Sequence, residues 1–250
     1  MAERRMLPRW LSAWNVASRR QAEAWVSQGR VRVDGRVVRD VTAWVVDTAR
    51  VEVDGVCVGP SRAPRLWWML HKPRGVVTTT SDPAGRPTVM DLVAPAPGLA
   101  PVGRLDMDSQ GLLLLTQDHG LAASLLAPER HVSKVYRVKV RGLPSPDTVH
   151  RLSTTSLVDG EEVLGPMGVL ALETTARSSW WQVTLSEGKN RQIRRRFDAE
   201  GHAVETLIRT SFGPLTLGPL RPGQARPLTE AEVDALRAAA SRKEAPRAGV

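Results

Sequence analysis

The sequence predicts an α+β fold in two parts. A small helical-plus-hairpin module is joined to a larger domain with a mainly antiparallel mixed sheet and flanking helices. Three observations carry this. Short apolar–polar alternations recur along the 250 residues, bounded by Gly, Pro and Asp turn signals. Capping boxes open separate helical stretches between them. The segment Gly59-Pro60-Ser61-Arg62-Ala63-Pro64 discourages either regular structure and reads as a linker. The expected boundaries are a first domain at 4–58, a linker at 59–64, a second domain at 65–240 and a disordered charged tail at 241–250.

In the first module, Ser18-Arg19-Arg20-Gln21 fits a capping box. Ala22, Trp25 and Val26 then share one apolar face, and Gly29 is a helix stop. Arg30-Val31-Arg32-Val33 alternates strictly, and Asp34-Gly35 signals a hairpin before Arg36-Val37-Val38. Val51-Glu52-Val53 precedes a second Asp54-Gly55. Two short helices and a small sheet are expected. Cys57, between Val56 and Val58, reads as a small buried strand residue.

In the second domain, Leu66 to Leu70 reads as a buried strand and Gly75 to Thr80 as β-rich. Leu112 to Leu115 is a short apolar run suited to a central strand. Asp118 caps a helix to Leu126. Lys134 to Val140 and Trp180 to Leu185 alternate as strands. Asn190 caps a helix to Ala199 with Ile193 and Phe197 on its buried face. Thr229-Glu230-Ala231-Glu232 opens a last helix.

Composition narrows the function. Lys and Arg number 35 against 26 Asp and Glu, a formal net charge of +9, which favours a polyanionic partner. No apolar run approaches the roughly 20 residues of a spanning helix, and no signal core follows the amino terminus, so a soluble cytoplasmic protein is expected. One cysteine and five histidines without paired spacing give no metal site. No nucleophilic triad, P-loop or dinucleotide-binding glycine pattern is present.

Two basic clusters point to RNA. Arg19 and Arg20 sit in the first turn of a capped helix, where backbone N–H groups and the helix dipole also favour phosphate. Arg30 and Arg32 lie on the neighbouring strand, opposite Val31 and Val33. In Lys189-Asn190-Arg191-Gln192-Ile193-Arg194-Arg195-Arg196, helical spacing lets Arg191, Arg194 and Arg195 share a face. Asp106 lies in a Gly-containing loop feeding the Leu run, where a side chain is both rigid and exposed in a cleft. By spacing alone such an Asp is more often a turn or cap residue.

Several motifs in register resolve this. Gly103-Arg104-Leu105-Asp106 with Gly111-Leu112-Leu113-Leu114-Leu115-Thr116, Lys134-Val135-Tyr136-Arg137-Val138 and Glu187-Gly188-Lys189-Asn190-Arg191-Gln192-Ile193-Arg194-Arg195 resemble the RsuA/RluB family of ribosomal RNA pseudouridine synthases. So do Asp82 to Val89 and Leu207-Ile208-Arg209 with Phe212-Gly213-Pro214-Leu215. The first module resembles the RNA-binding domain named after ribosomal small-subunit protein four, with Asn15, Asp34, Trp10 and Trp14 as departures from its usual pattern.

The resemblance implies conversion of uridine to pseudouridine in ribosomal RNA, with the large-subunit RNA favoured. Asp106 would be the catalytic aspartate, Arg194 its charge partner and Tyr136 the stacking platform for a flipped base. Ile193, Arg104, Lys72 and Arg191 would contact substrate, and Arg19, Arg20, Arg30 and Arg32 would bind RNA. No cofactor, metal or membrane is implied. The partner would be ribosomal RNA or a ribosome-assembly intermediate, and the chain a monomer. The alternative is a non-catalytic RNA-binding assembly factor that keeps the fold.

Overall fold

A computed structural model describes residues 4–14, 16–59 and 65–241. Asn15, most of the expected linker and the tail from residue 242 lie outside the described residues. The chain divides into two compact units. One gathers Met1–Trp67, Pro95–Ala100 and Thr116–Gly120, and the other gathers the rest.

In the first unit, β1 (Arg4–Met6) leads into α1 (Leu7–Ala13), whose first turn carries Pro8. In α2 (Arg19–Ser27), the Ser18 hydroxyl accepts from the Gln21 amide at 3.2 Å, and Gly29 at φ +74° stops the helix as expected. Strands β2 (Val31–Val33), β3 (Arg36–Val38), β5 (Val51–Val53) and β6 (Val56–Val58) form an antiparallel sheet in the order β3-β2-β5-β6. β4 (Trp44–Val46) pairs instead with β1, an addition the alternation did not reveal. Asp34 and Gly35, and again Asp54 and Gly55, take successive positive φ angles, the requirement of a tight hairpin turn. Asp34 tolerates this conformation much as Asn does, and its carboxylate also accepts from the Arg50 amide at 2.9 Å. Trp10 is fully buried with Leu7, Leu11, Ala22, Val26, Val31 and Val51, so this departure supplies core volume. Cys57 corrects an expectation. It is exposed, because β6 is an edge strand and Val56 and Cys57 both face solvent.

The second unit is built on a mixed sheet. Its strands are β7 (Trp67–Lys72), β9 (Gln110–Thr116), β10 (Lys134–Arg141), β13 (Gly168–Thr174), β14 (Ser178–Leu185), β15 (Val204–Phe212) and β17 (Ala225–Pro227). The order is β13-β14-β10-β15-β9-β7-β17. β10 runs antiparallel to both β14 and β15, whereas β9 runs parallel to β15. The short strands β8 (Ala100–Pro101), β11 (Leu157–Asp159), β12 (Glu162–Leu164) and β16 (Leu215–Thr216) lie off this path; β11 pairs with β12, and β16 with β15. Helices α3 (His119–Leu126), α4 (Pro146–Thr154), α5 (Gln192–Ala199) and α6 (Glu230–Ser241) complete the fold. The Leu112–Leu115 run is buried throughout, as a central strand requires. Gly75 to Thr80 is mostly turn, with only Val77 bridged to Thr88. The α5 helix begins one residue later than expected. Arg191, not Asn190, is its N-cap, held at φ +48°.

Register matters most between β10 and β15. Val135 pairs with Ser211 and Tyr136 with Arg209, so Thr210 is an extra residue. Such a bulge breaks the two-residue alternation. Leu207, Arg209 and Phe212 consequently are all buried, at spacings of two and then three.

Candidate active site

A cavity of about 540 Å³ opens in the second unit between the Gly103–Ser109 loop, β10, β15 and the segment that leads into α5. Asp106, Arg104, Tyr136, Arg191 and Ile193 all line it. Three segments far apart in sequence are thereby brought to one place. Tyr136 and Ile193 are nearly buried, Asp106 is partly exposed and Arg104 is exposed at the rim. A second hollow of about 650 Å³ lies near Leu217 and Gln224. Its two charged side chains, Arg226 and Glu232, pair with each other, which leaves no group to do chemistry.

The loop bearing Asp106 is pinned from beneath. Gly103 takes φ +69°, and a Cβ there would lie 2.9 Å from Leu126 Cδ2. The Thr78 hydroxyl donates to the Leu105 carbonyl at 2.6 Å. The Gly75 amide donates to the Met107 carbonyl at 2.8 Å, and the Ser109 amide closes a turn onto the Asp106 carbonyl at 3.0 Å. Lys72 is fully buried, and its Nζ donates to the carbonyls of Pro73, Asp106 and Ser109 at 3.0, 3.0 and 2.9 Å. All three ammonium protons are thus committed to backbone. Burial pulls the Lys72 pKa down to about 8, opposed by the charges of Asp106 and Asp108. This corrects the expectation that Lys72 contacts substrate: it is a strut of the loop, with no donor left to offer.

The arginine motif divides its work. Arg191 reaches Asp106 at 3.5 Å and Asp108 at 3.3 Å. Arg194, nine-tenths buried, reaches Asp108 at 3.2 Å and donates to the Val204 carbonyl at 3.0 Å. The direct ion pair to Asp106 therefore comes from Arg191, and Arg194 acts on Asp106 only at longer range. Burial lowers the Arg194 pKa, with Asp108 opposing. Burial would raise the Asp108 pKa, but the Arg191 hydrogen bond and the Arg194 and Arg191 charges hold it below its ordinary value. Asp108 was not singled out in the sequence, although its place two residues past Asp106 was visible. Arg195 does not share this face as expected. It pairs with Asp159 and Glu162, while Arg196 donates to the carbonyls of Arg151 and Leu152 at 3.1 and 2.9 Å.

In the first unit, Arg19, Arg20, Arg30 and Arg32 are all exposed. Arg19 pairs with Glu23 at 3.2 Å across one helical turn. Arg30 stacks 5.1 Å from the Trp25 ring centroid and donates to Asp54 at 3.0 Å. Arg32 donates weakly to the Gly35 carbonyl at 3.4 Å. Among the described residues no helix is long and apolar enough to cross a membrane, and no group of three His, Cys, Asp or Glu side chains is placed to hold a metal.

Residues 67–199 match the RNA pseudouridylate synthase family, and residues 7–41 match the S4 domain. The ribosomal large subunit pseudouridine synthase B of Bacillus subtilis is 39% identical over 227 residues, 90% of this chain and 92% of the relative. An uncharacterized RNA pseudouridine synthase of Mycobacterium leprae is 39% identical over 233 residues, 91% of this chain and 90% of that one. A solved pseudouridylate synthase aligns with a TM-score of 0.67 at 26% identity, covering 92% of this chain and 98% of its own. With a family match over more than half its length, and relatives this similar along nearly all of it, the chain belongs to the RNA pseudouridine synthases and carries an S4 domain ahead of the synthase region.

Proposed function

We propose that this enzyme isomerises one uridine, or a small set, in ribosomal RNA, and that the large-subunit RNA is its substrate. The observation that carries the reading is the cavity that Asp106 and Tyr136 line together, with Arg191 at 3.5 Å from the Asp106 carboxylate. The chemistry starts from an ionised carboxylate, acting either as nucleophile or as base. Arg191 fixes its direction and is itself held by Asp108, which Arg194 also engages. Tyr136 gives the flipped uracil a stacking surface, and Ile193 packs beside it. Arg104 at the rim meets the RNA strand. Reactant and product hold the same atoms, so no cofactor is required.

The name of the Bacillus subtilis relative supports the choice of large-subunit RNA. The domains run as 4–58 for RNA binding, 59–64 as linker and 65–240 for catalysis, with Arg19, Arg20, Arg30 and Arg32 on phosphates. The enzyme works in the cytoplasm as a monomer. Asp106→Asn keeps the shape and removes the charge. It should cut single-turnover pseudouridine formation by at least about 10³-fold with an unchanged circular dichroism spectrum; isomerisation at the parent rate overturns the reading. Carbodiimide mapping of ribosomal RNA from a deletion strain identifies the uridine, and an unchanged map would return the chain to assembly-factor status.

A further inference from the structure

The cavity holds two buried cations that the roles above do not use. Lys134 and Arg209 both line it, and both are more than nine-tenths buried. Their ammonium and guanidinium lie 5.8 and 5.4 Å from the Phe212 ring centroid, which places them around one aromatic ring. Lys134 sits two residues before Tyr136 on the same face of β10, and Arg209 pairs directly across from Tyr136. The Thr210 bulge is what turns both Arg209 and Phe212 to this side.

Neither cation is neutralised. Arg209 Nε donates to the Leu112 carbonyl at 2.7 Å, but its Nη2 is buried without a partner. No described residue accepts a hydrogen bond from Lys134 Nζ. Glu187 is the carboxylate that acts on Lys134, but it is engaged by the Gly165 amide at 3.2 Å, by Gln192 and by Lys189 at 3.5 Å. Burial, then the Arg209 charge, lower the Lys134 pKa against that pull. Two like charges held side by side with donors left unmet are unfavourable until a negative group arrives.

We propose that Lys134 and Arg209 receive the carbonyl edge of the flipped uracil and stabilise the uracil anion formed when the base leaves the sugar. This rests on the uridine-isomerising reading. The C1′–N1 bond breaks with its electron pair on the base, leaving C1′ cationic beside the Asp106 carboxylate, and the negative charge spreads over N1, C5 and the carbonyl oxygens. The base turns, its C5 electron pair bonds to C1′, the C5 proton passes to solvent and N1 takes up a proton from solvent. Preorganised cations at the carbonyl oxygens favour the separated anion over the neutral nucleoside, which is transition-state rather than ground-state stabilisation.

The test compares uridine with 5-fluorouridine at the same position of one ribosomal RNA fragment, under single turnover with the full chain. Fluorine stabilises the anion by itself, so the cations should matter less. Lys134→Gln should slow glycosidic cleavage of uridine by about 10²-fold and that of 5-fluorouridine by under about tenfold, with Lys134→Arg recovering most of the loss. Equal losses with both substrates, or a loss confined to RNA affinity, overturn the proposal. A second measurement needs no variant. At pH 8, 5-nitrouracil is an anion and uracil is neutral; calorimetry on the wild-type chain should show the anion binding at least about tenfold tighter, and equal affinity overturns the proposal. Either failure leaves pseudouridine formation by the wild-type chain intact, whereas a wild-type chain that forms none removes the underlying reading and this proposal with it.

Discussion

Lys72→Met probes the buried ammonium beneath the Asp106 loop. Methionine keeps the length and apolar bulk of the side chain but removes its three donors. The carbonyls of Pro73, Asp106 and Ser109, now paired at 3.0, 3.0 and 2.9 Å, lose their partner. Each buried acceptor left unpaired costs about 1–3 kcal/mol. Against this, keeping Lys72 charged at a pKa of about 8 instead of 10.5 already costs the wild type about 3 kcal/mol at neutral pH. The lost acceptors outweigh the relief, and we expect a net loss of about 2–4 kcal/mol. The pH dependence is the sharper test. The folded pKa lies below the unfolded one, so between about 8 and 10.5 the unfolded chain holds a proton that the folded chain has released. Raising the pH through this window therefore stabilises the wild type. Its advantage over Lys72→Met should grow by about 2 kcal/mol from pH 8 to 9.5. Urea unfolding of both proteins across that range measures the difference and cancels every other titrating group. A constant or shrinking difference refutes the account. In parallel, kcat near pH 7.5 should fall by about 10²-fold with little change in KM, because Lys72 does not line the cavity.

Four further outcomes are expected. Gly111→Ala should destabilise by about 3 kcal/mol or more in urea unfolding, because a Cβ would lie 2.3 Å from the Arg209 carbonyl oxygen on the parallel strand at φ +109°. Arg194→Lys should lower kcat about 10-fold or more in steady-state assays, since a point charge cannot reach both Asp108 and the Val204 carbonyl. Tyr136→Leu should weaken productive binding of the target uridine by about 1–3 kcal/mol, read as a rise in KM with a fall in kcat. Arg20→Ala should weaken RNA binding evenly across sequences and reduce the salt slope by about one, measured by titration at several ionic strengths.

Much of the fold was legible because it is written in local patterns. The Asp34-Gly35 and Asp54-Gly55 turns, the Ser18 cap and the buried Leu112–Leu115 run depend on neighbours in sequence, and each forms as read. The residues that line the cavity were legible through the family motifs. What escaped depends on partners across the fold. Cys57 looked buried because its neighbours are valines, but an edge position is set by strand order. Lys72 was set against RNA by the resemblance alone, because the acceptors that occupy it, the Asp106 and Ser109 carbonyls, lie far along the chain. Arg191 rather than Arg194 meets Asp106 because the helix starts one residue late, which leaves Arg191 in a left-handed cap that reaches back over the loop. The bulge at Thr210 leaves no mark in the sequence, since alternation fails there for one residue only.

The parallel pairing of β9 with β15 has a consequence for how the enzyme comes into being. Arg209 grips the Leu112 carbonyl across 97 positions of chain. The loop bearing Asp106 and the wall bearing Arg209 and Phe212 therefore cannot meet until most of the polypeptide exists, and contacts of such long range form slowly. The β1–β6 segment closes within itself, its longest pairing joining Arg4 to Val46, so all of its basic surface is synthesised well before β15. The S4 domain is therefore complete in the growing chain before the residues that close the cavity exist.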